Sequence, residues 1–187
     1  MREIRARLTP TLFAVALAGC ASQPVQRDAD VSRPLVAPST LGGERAVNQI
    51  VRGAFGPRDM TLNCIVTVKD GVMTVVGLSA LGLRVFTIRY DGTTTTVDNT
   101  LPAPSQLTTE RLIADYQQVY WPMDALVQPM KSAGWQLTEP AVLTRRLRRD
   151  DRIVAEVHYT SEDPWTGRSW LVNLEHGYTL SIESKVL

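Results

Sequence analysis

From Met60 onward apolar and polar positions alternate. Met60, Leu62, Cys64, Val66 and Val68 share one face, while Thr61, Asn63, Thr67 and Lys69 take the other with Ile65 the apolar exception, which predicts a half-buried strand. Asp70-Gly71 signals a hairpin turn, and Val72 to Leu78 is nearly all apolar, as in a strand covered on both faces. A strand from Arg84 to Asp91 follows, with Phe86, Ile88 and Tyr90 inward. Asp91-Gly92 then turns the chain into a strand from Thr93 to Val97. The alternation breaks at Leu101-Pro102-Ala103-Pro104. Thr108 is placed to cap a helix on which Leu112, Ile113, Tyr116, Val119 and Tyr120 form one stripe. Pro122 suits the first turn of a second short helix bearing Met123, Leu126, Val127 and Met130, which Pro129 must end or kink, with Gly134 beyond its end. Strands resume at Trp135 to Leu137 and Val142 to Arg148, turn at Asp150-Asp151, and return through Ile153 to Thr160 with Ile153, Ala155, Val157 and Tyr159 on one side. A last hairpin pairs Ser169 to Leu174 with Tyr178 to Val186 across His176-Gly177. The predicted fold is mainly β with a short helical insert (α+β): a single antiparallel sheet, wide enough to curl, with two short helices on its concave side.

The first twenty residues follow a different pattern. Arg2, Arg5 and Arg7 precede an apolar stretch from Leu12 to Ala18, and Leu17-Ala18-Gly19-Cys20 closes it. That stretch is far short of the ~20 residues a helix needs to cross a bilayer, so residues 1–19 read as an export signal. The Leu-Ala-Gly-Cys ending resembles a bacterial lipobox, which implies that Cys20 is lipidated and anchors the protein to membrane lipid through acyl chains. Ala21 stands where an aspartate favours inner-membrane retention, so the resemblance implies the periplasmic face of the outer membrane. Residues 20–42, with Pro24, Pro34 and Pro38 among polar and small residues, read as the lipidated cysteine and a flexible tether, and 43–187 as the folded domain.

Charge and chemistry narrow the function. Twenty Lys+Arg balance nineteen Asp+Glu, which gives no electrostatic footprint for nucleic acid. Two cysteines and two histidines would all be consumed by one four-ligand metal site, and neither a metal site nor a catalytic triad emerges; no cofactor is implied and an enzyme is not expected. Gly77-Leu78-Ser79-Ala80-Leu81-Gly82 is one residue too long for a nucleophile elbow and joins strand to strand. Its leucines Leu78, Leu81 and Leu83 either tuck into the sheet edge or form an apolar loop for a membrane or partner. His158 and His176 read as solvated or locally bonded, and Cys64 as a buried, inert thiol. Arg145, Arg146, Arg148, Arg149 and Arg152 surround one hairpin, either as a solvated face partly neutralised by Asp150 and Asp151 or as a contact for anionic groups. Tyr90, Tyr116, Trp121, Trp170 and Tyr178, with Leu62, Val66, Phe86, Ile88, Leu180 and Ile182, are candidates to line a cavity for a hydrophobic ligand. The helix ending at Tyr120 is then either a core plug or a movable lid.

Several of these features occur together elsewhere. The lipobox, the proline-containing tether, the meander, the helix ending Tyr120-Trp121-Pro122, then Gly134-Trp135 and Gly177-Tyr178-Thr179-Leu180-Ser181-Ile182 resemble an uncharacterised Gram-negative lipoprotein family that often accompanies aryl-polyene biosynthesis genes. Its architecture is similar to that of the lipoprotein-localisation factors LolA and LolB. The resemblance implies a LolB-like open half-barrel whose concave face binds or transfers an acyl or polyene-type lipid or a lipoprotein. The alternative is a structural or assembly lipoprotein that docks an envelope protein partner and has no ligand cavity.

Overall fold

A computed structural model describes residues 32–100 and 108–187. The export signal, Cys20 and the first part of the expected tether lie outside the described residues. Strands β1 (Arg45–Phe55), β2 (Arg58–Lys69), β3 (Val72–Leu78), β4 (Arg84–Tyr90) and β5 (Thr95–Asn99) form one meander. Helices α1 (Thr109–Tyr120) and α2 (Met123–Ser132) follow, and β6 (Gln136–Ala141), β7 (Thr144–Arg149), β8 (Arg152–Tyr159), β9 (Gly167–Asn173) and β10 (Tyr178–Val186) form a second. All join in one curved, open ten-stranded sheet of order β5-β4-β3-β2-β1-β10-β9-β8-β7-β6. The first and last strands meet at its centre, where Val51 lies opposite both Leu62 and Ile182.

Turn chemistry explains the tight hairpins. Asp70 and Gly71 (φ 50° and 73°) and Asp150 and Asp151 (φ 47° and 60°) adopt left-handed pairs, whose twist matches the flanking strands. Along β2 the buried positions Leu62, Cys64, Val66 and Val68 alternate with exposed or half-exposed ones, so the sheet has one core face. Strand β3, expected to be covered on both faces, follows the same rule: Met73, Val75 and Gly77 are buried and their neighbours half-buried. In β8 the one-sided set is interrupted. Leu147 pairs with Ala155 and Arg148 with Ile153, leaving Val154 as a bulge that turns inward beside Ala155.

Three further features differ from expectation. Strand β1 has no clear apolar alternation, because Gln49 and Gly53 occupy inward positions and Ile50 an outward one. It forms through pairing on both sides. Helix α2 continues past Pro129 to Ser132, anchored by the fully buried Leu126 and Met130. The segment 33–41, expected to be tether, is a strap packed on α1. Val36 donates its N–H to Gln117 Oε1 (3.0 Å) and accepts from Gln117 Nε2 at its carbonyl (2.7 Å). Arg33 pairs with Asp115 and donates to Gln118 Oε1 (2.9 Å), and Trp121 Nε1 donates to Thr40 Oγ1 (3.1 Å). With Val36 and Leu41 in the core, the compact unit is Ser32–Leu187.

The strap also explains α1. Every residue from Ile113 to Tyr120 is buried, including Asp115, Gln117 and Gln118. Its apolar stripe faces the sheet, Gln117 faces the strap, and Asp115 lies between Arg33 of the strap and Tyr178 of β10, so both buried polar side chains are bonded.

Candidate ligand-binding cavity

Between α1 and the concave face lies a cavity of about 380 Å³. This is at the lower end of the ~300–1,000 Å³ of small-molecule pockets, room for one chain-like ligand. The sheet supplies Val51, Leu62, Val75, Phe86, Ile88 and Ile182 to its wall, and α1 supplies Leu112, Tyr116 and Val119. Exposed lining residues Val97, Asn99, Thr108 and Glu110 mark a mouth at the β5 edge and the start of α1. Thr108 caps α1 there, its side chain accepting from Arg111 N–H. Buried Gln49, Cys64 and Leu171 mark the inner end under the centre of the sheet.

Glycine shapes the wall. A Cβ at Gly77 would lie 2.4 Å from the ring of Phe86, its cross-strand partner, so only glycine lets that ring lie across β3. Gly53 likewise makes room, outside the cavity lining, for the ring of Phe55 two residues along β1, from which a Cβ would lie 2.4 Å.

The expected lining set divides. Leu62, Phe86, Ile88, Tyr116, Leu180 and Ile182 line the cavity. Val66 and Tyr90 are packed in the core, with the Tyr90 hydroxyl donating to the Gly92 carbonyl (3.1 Å). Trp121 is turned toward the strap. The Tyr178 hydroxyl donates to Asp115 and accepts from Asn173 Nδ2 (2.9 Å), while its ring stacks 5.5 Å from Phe55. Trp170 is on the other face of the sheet, since its neighbours Ser169 and Leu171 are the buried ones, and the Arg168 guanidinium lies 5.8 Å from its ring. Residues the sequence did not single out complete the site: Gln49, Val51, Val85, Val97 and Asn99 lie on β1, β4 and β5. Asp115 on α1 also lines the cavity, and with Gln117 and Gln118 it was the sequence sign that the helix has a polar side.

The five arginines do not converge. Arg145 is buried, and its Nη1 donates to the Gln118 (3.0 Å) and Trp121 (2.7 Å) carbonyls at the end of α1, while Nε pairs with Glu139 (3.1 Å). It is a structural cap for α1, unavailable to an external anion. Arg146 pairs with Glu156 (2.8 Å), Arg148 donates to the Asp151 carbonyl (2.7 Å), and Arg149 lies 5.2 Å from the Trp135 ring centroid and near Asp150. Arg152 is exposed at the turn. Leu78 is half-buried, whereas Leu81 and Leu83 are 86% and 66% exposed at the tip between β3 and β4. The tip is held by Ser79 N–H to the Leu83 carbonyl (2.8 Å) and Gly82 N–H to the Ser79 carbonyl (2.9 Å), so the leucines project from an ordered turn.

The electrostatics are those of a neutral pocket. Burial holds the Cys64 thiol at a pKa of about 12 and pushes the Tyr116 phenol well above its usual value, so both stay protonated. Glu110 and Asp115 are the acidic residues among the described lining, and no Lys, Arg or His joins them; Asp115 is balanced by Arg33. Glu156, the neighbour of His158, is taken by Arg146, and His158 is exposed. Among the described residues no three His, Cys, Asp or Glu side chains gather as a metal site, and no helix is long and apolar enough to cross a membrane.

Fold and site define a class: an open antiparallel sheet whose concave face is roofed by a helix over an apolar cavity. The chain belongs to the family described as "Protein of unknown function (DUF3261)", which matches residues 46–186. No curated protein matches it. Among solved structures it is similar to a LolA superfamily protein from Nitrosomonas europaea, at 11% identity and a TM-score of 0.47, covering 81% of this chain and 92% of that one. It is also similar to a DUF1329 family protein from Desulfovibrio piger, at 10% identity and a TM-score of 0.39, covering 83% of this chain and 85% of that one.

Proposed function

We propose that this chain is a non-enzymatic lipoprotein, anchored through Cys20 on the periplasmic face of the outer membrane, that binds and hands over a hydrophobic molecule with acyl or polyene character or the acyl chains of a lipoprotein. The observation that carries this reading is the apolar cavity between α1 and the concave face. Each methylene moved from water to that wall contributes about 0.8 kcal/mol, so roughly a dozen outweigh the cost of displacing a helix end. The resemblance to lipoproteins encoded beside aryl-polyene genes makes a polyene one candidate cargo. Leu81 and Leu83 supply the contact through which the cargo passes to a membrane or acceptor.

The test is native mass spectrometry with lipid extraction on Ser32–Leu187, purified from a Gram-negative host without detergent. A bound acyl or polyene species, absent from folded Phe86→Asp and Ile182→Asp variants, is the expected result. An empty protein that takes up no fluorescent acyl probe overturns the carrier reading. The exposed leucine tip then favours the second reading, a structural or assembly lipoprotein that docks an envelope protein.

A further inference from the structure

The cavity follows one row of cross-strand partners. From the mouth inward, Asn99 on β5 lies opposite Phe86 on β4, Phe86 opposite Gly77 on β3, Gly77 opposite Cys64 on β2, and Cys64 opposite Gln49 on β1. All but Gly77, which has no side chain to offer, line the cavity. Two small residues side by side in that row leave a trough in the sheet, between larger aliphatic residues such as Ile88 and Leu62. The trough is blind. At its inner end Gln49 Nε2 donates to Ser184 Oγ (3.0 Å), which lies 3.0 Å from the Tyr120 hydroxyl, so buried groups bonded to one another stop it.

The free length of the trough then depends on what stands between mouth and inner end, and two aromatic rings do. Tyr116 on α1 is fixed by its neighbours: its ring lies 4.5 Å from Tyr120, 6.2 Å from Trp165 and 6.3 Å from Trp121. Phe86 is half-buried and stacks on no other ring among the described residues. It lies in the trough itself, on the bare backbone of Gly77. A Cβ at Gly77 would fall 2.6 Å from its Cζ and 2.9 Å from its Cδ1, closer than packed carbons approach, so with that seat filled the ring has to leave the sheet for the cavity. Resting on the carrier reading, we infer that Phe86, seated on Gly77, is the residue that sets how long a chain the cavity accepts. A straight chain laid in the trough from Gln49 outward ends its close packing where it meets that ring.

Straight-chain alcohols from octanol to hexadecanol, competing with anthroyloxy-stearate on Ser32–Leu187, give the test. Affinity should rise about fourfold per methylene until the chain fills the cavity, then level off. Phe86→Ala should move that levelling point to longer chains. Gly77→Ala should move it to shorter ones, costing hexadecanol about fiftyfold and octanol less than about threefold. Adding Phe86→Ala to Gly77→Ala removes the ring that the new methyl displaces, so the double variant should behave as Phe86→Ala, and it keeps the test open should Gly77→Ala fail to fold. Gly53→Ala is the control: it sets a methyl against the Phe55 ring, outside the lining, and should lower stability with the levelling point unmoved. Levelling at the wild-type length in Phe86→Ala and in the double variant, or a loss in Gly77→Ala that is the same for every chain, overturns the inference, while displacement of the probe keeps the carrier reading. No probe uptake by the unaltered chain removes that reading and the inference with it.

Discussion

The two meanders carry the same alternation and are filled differently. Around β6 and β7 the space above the sheet is solid: Leu126, Met130, Trp135, Leu137 and Leu147 are almost fully buried, and α2 packs on β6. Above β3, β4 and β5 the facing residues Val75, Val85, Ile88 and Val97 are smaller, Phe86 lies flat across Gly77, and the space remains a cavity. The difference follows from what sits opposite each half. The second meander receives α2 on β6, whereas the first is roofed across the cavity by Leu112, Tyr116 and Val119 of α1 and touched by the strap at β3. Binary patterning decides which face a residue takes; side-chain volume and the roof decide whether that face is filled.

The largest expected effect tests that contrast. Trp121→Ala or Leu147→Ala should each cost about 3–5 kcal/mol, because the packed half cannot collapse around the loss. Phe86→Ala should cost about 1 kcal/mol, since its ring already borders open volume and is half-exposed. Urea unfolding of Ser32–Leu187 measures all three. Similar losses at Phe86 and Leu147 would mean that the first half is as solid as the second.

Next is the strap that closes the centre. Arg33→Ala leaves the Asp115 carboxylate, 2% exposed, with the Tyr178 hydroxyl as its partner among the described residues, and should cost about 3 kcal/mol. Arg145→Leu strips the buried carbonyls of Gln118 and Trp121 and should cost about 2 kcal/mol, whereas Arg152→Ala at the same hairpin should cost nearly nothing. Limited proteolysis before α1 should accelerate in Arg33→Ala and not in Arg152→Ala. If both arginine losses are neutral, α1 is a loosely held lid and the strap is incidental.

These arginines also show what a sequence leaves illegible. Strands β2 and β4 and the last hairpin were readable because each buries one face and writes it as a period, and the helices because their apolar positions recur at helical spacing even where, in α1, the other side is covered as well. Strand β1 was not, since its inward Gln49 and Gly53 answer to Ser184 and to the Phe55 ring, partners distant in sequence or set by local packing. Arg33 and Arg145 looked like a solvated tether residue and one of a basic cluster. Their partners on α1 lie 82 and 27 residues away, and no local pattern announces them. Of the cavity, wall residues in clean alternation were legible. Trp170 was misplaced because an aromatic reads as inward even where the register of β9 sends it to the other face.

A smaller, pH-dependent effect comes from the phenols beneath α1. Burial raises Tyr116, Tyr120, Tyr159 and Tyr178, and the Asp115 charge raises Tyr178 further. Each is protonated in the folded state at a pH where the unfolded chain has begun to ionise. Their contribution is therefore complete below pH ~10, the unfolded phenol value, and is lost as pH rises above it, by up to about 1.4 kcal/mol per pH unit for each phenol. Guanidinium midpoints between pH 8 and 11 should fall with a slope that Tyr178→Phe reduces. A flat profile would place these rings in water and contradict a closed centre.

The smallest effect on stability is expected where the functional effect should be largest. Leu81 and Leu83 touch solvent, and their turn is held by backbone and Ser79 bonds that do not involve their side chains. Leu81→Ser and Leu83→Ser together should shift the unfolding midpoint by no more than about 0.5 kcal/mol equivalent, because surface changes away from caps and cores seldom do more. Two apolar side chains lost from a contact with membrane or acceptor would forfeit roughly 1.5–3 kcal/mol each if fully buried there, enough to slow transfer at least tenfold. Acyl-probe transfer from Ser32–Leu187 to vesicles should thus fall sharply while probe affinity stays as it was. Affinity and transfer falling together would place these leucines in the cavity's own function, and neither falling would leave the exposed tip without a part in release.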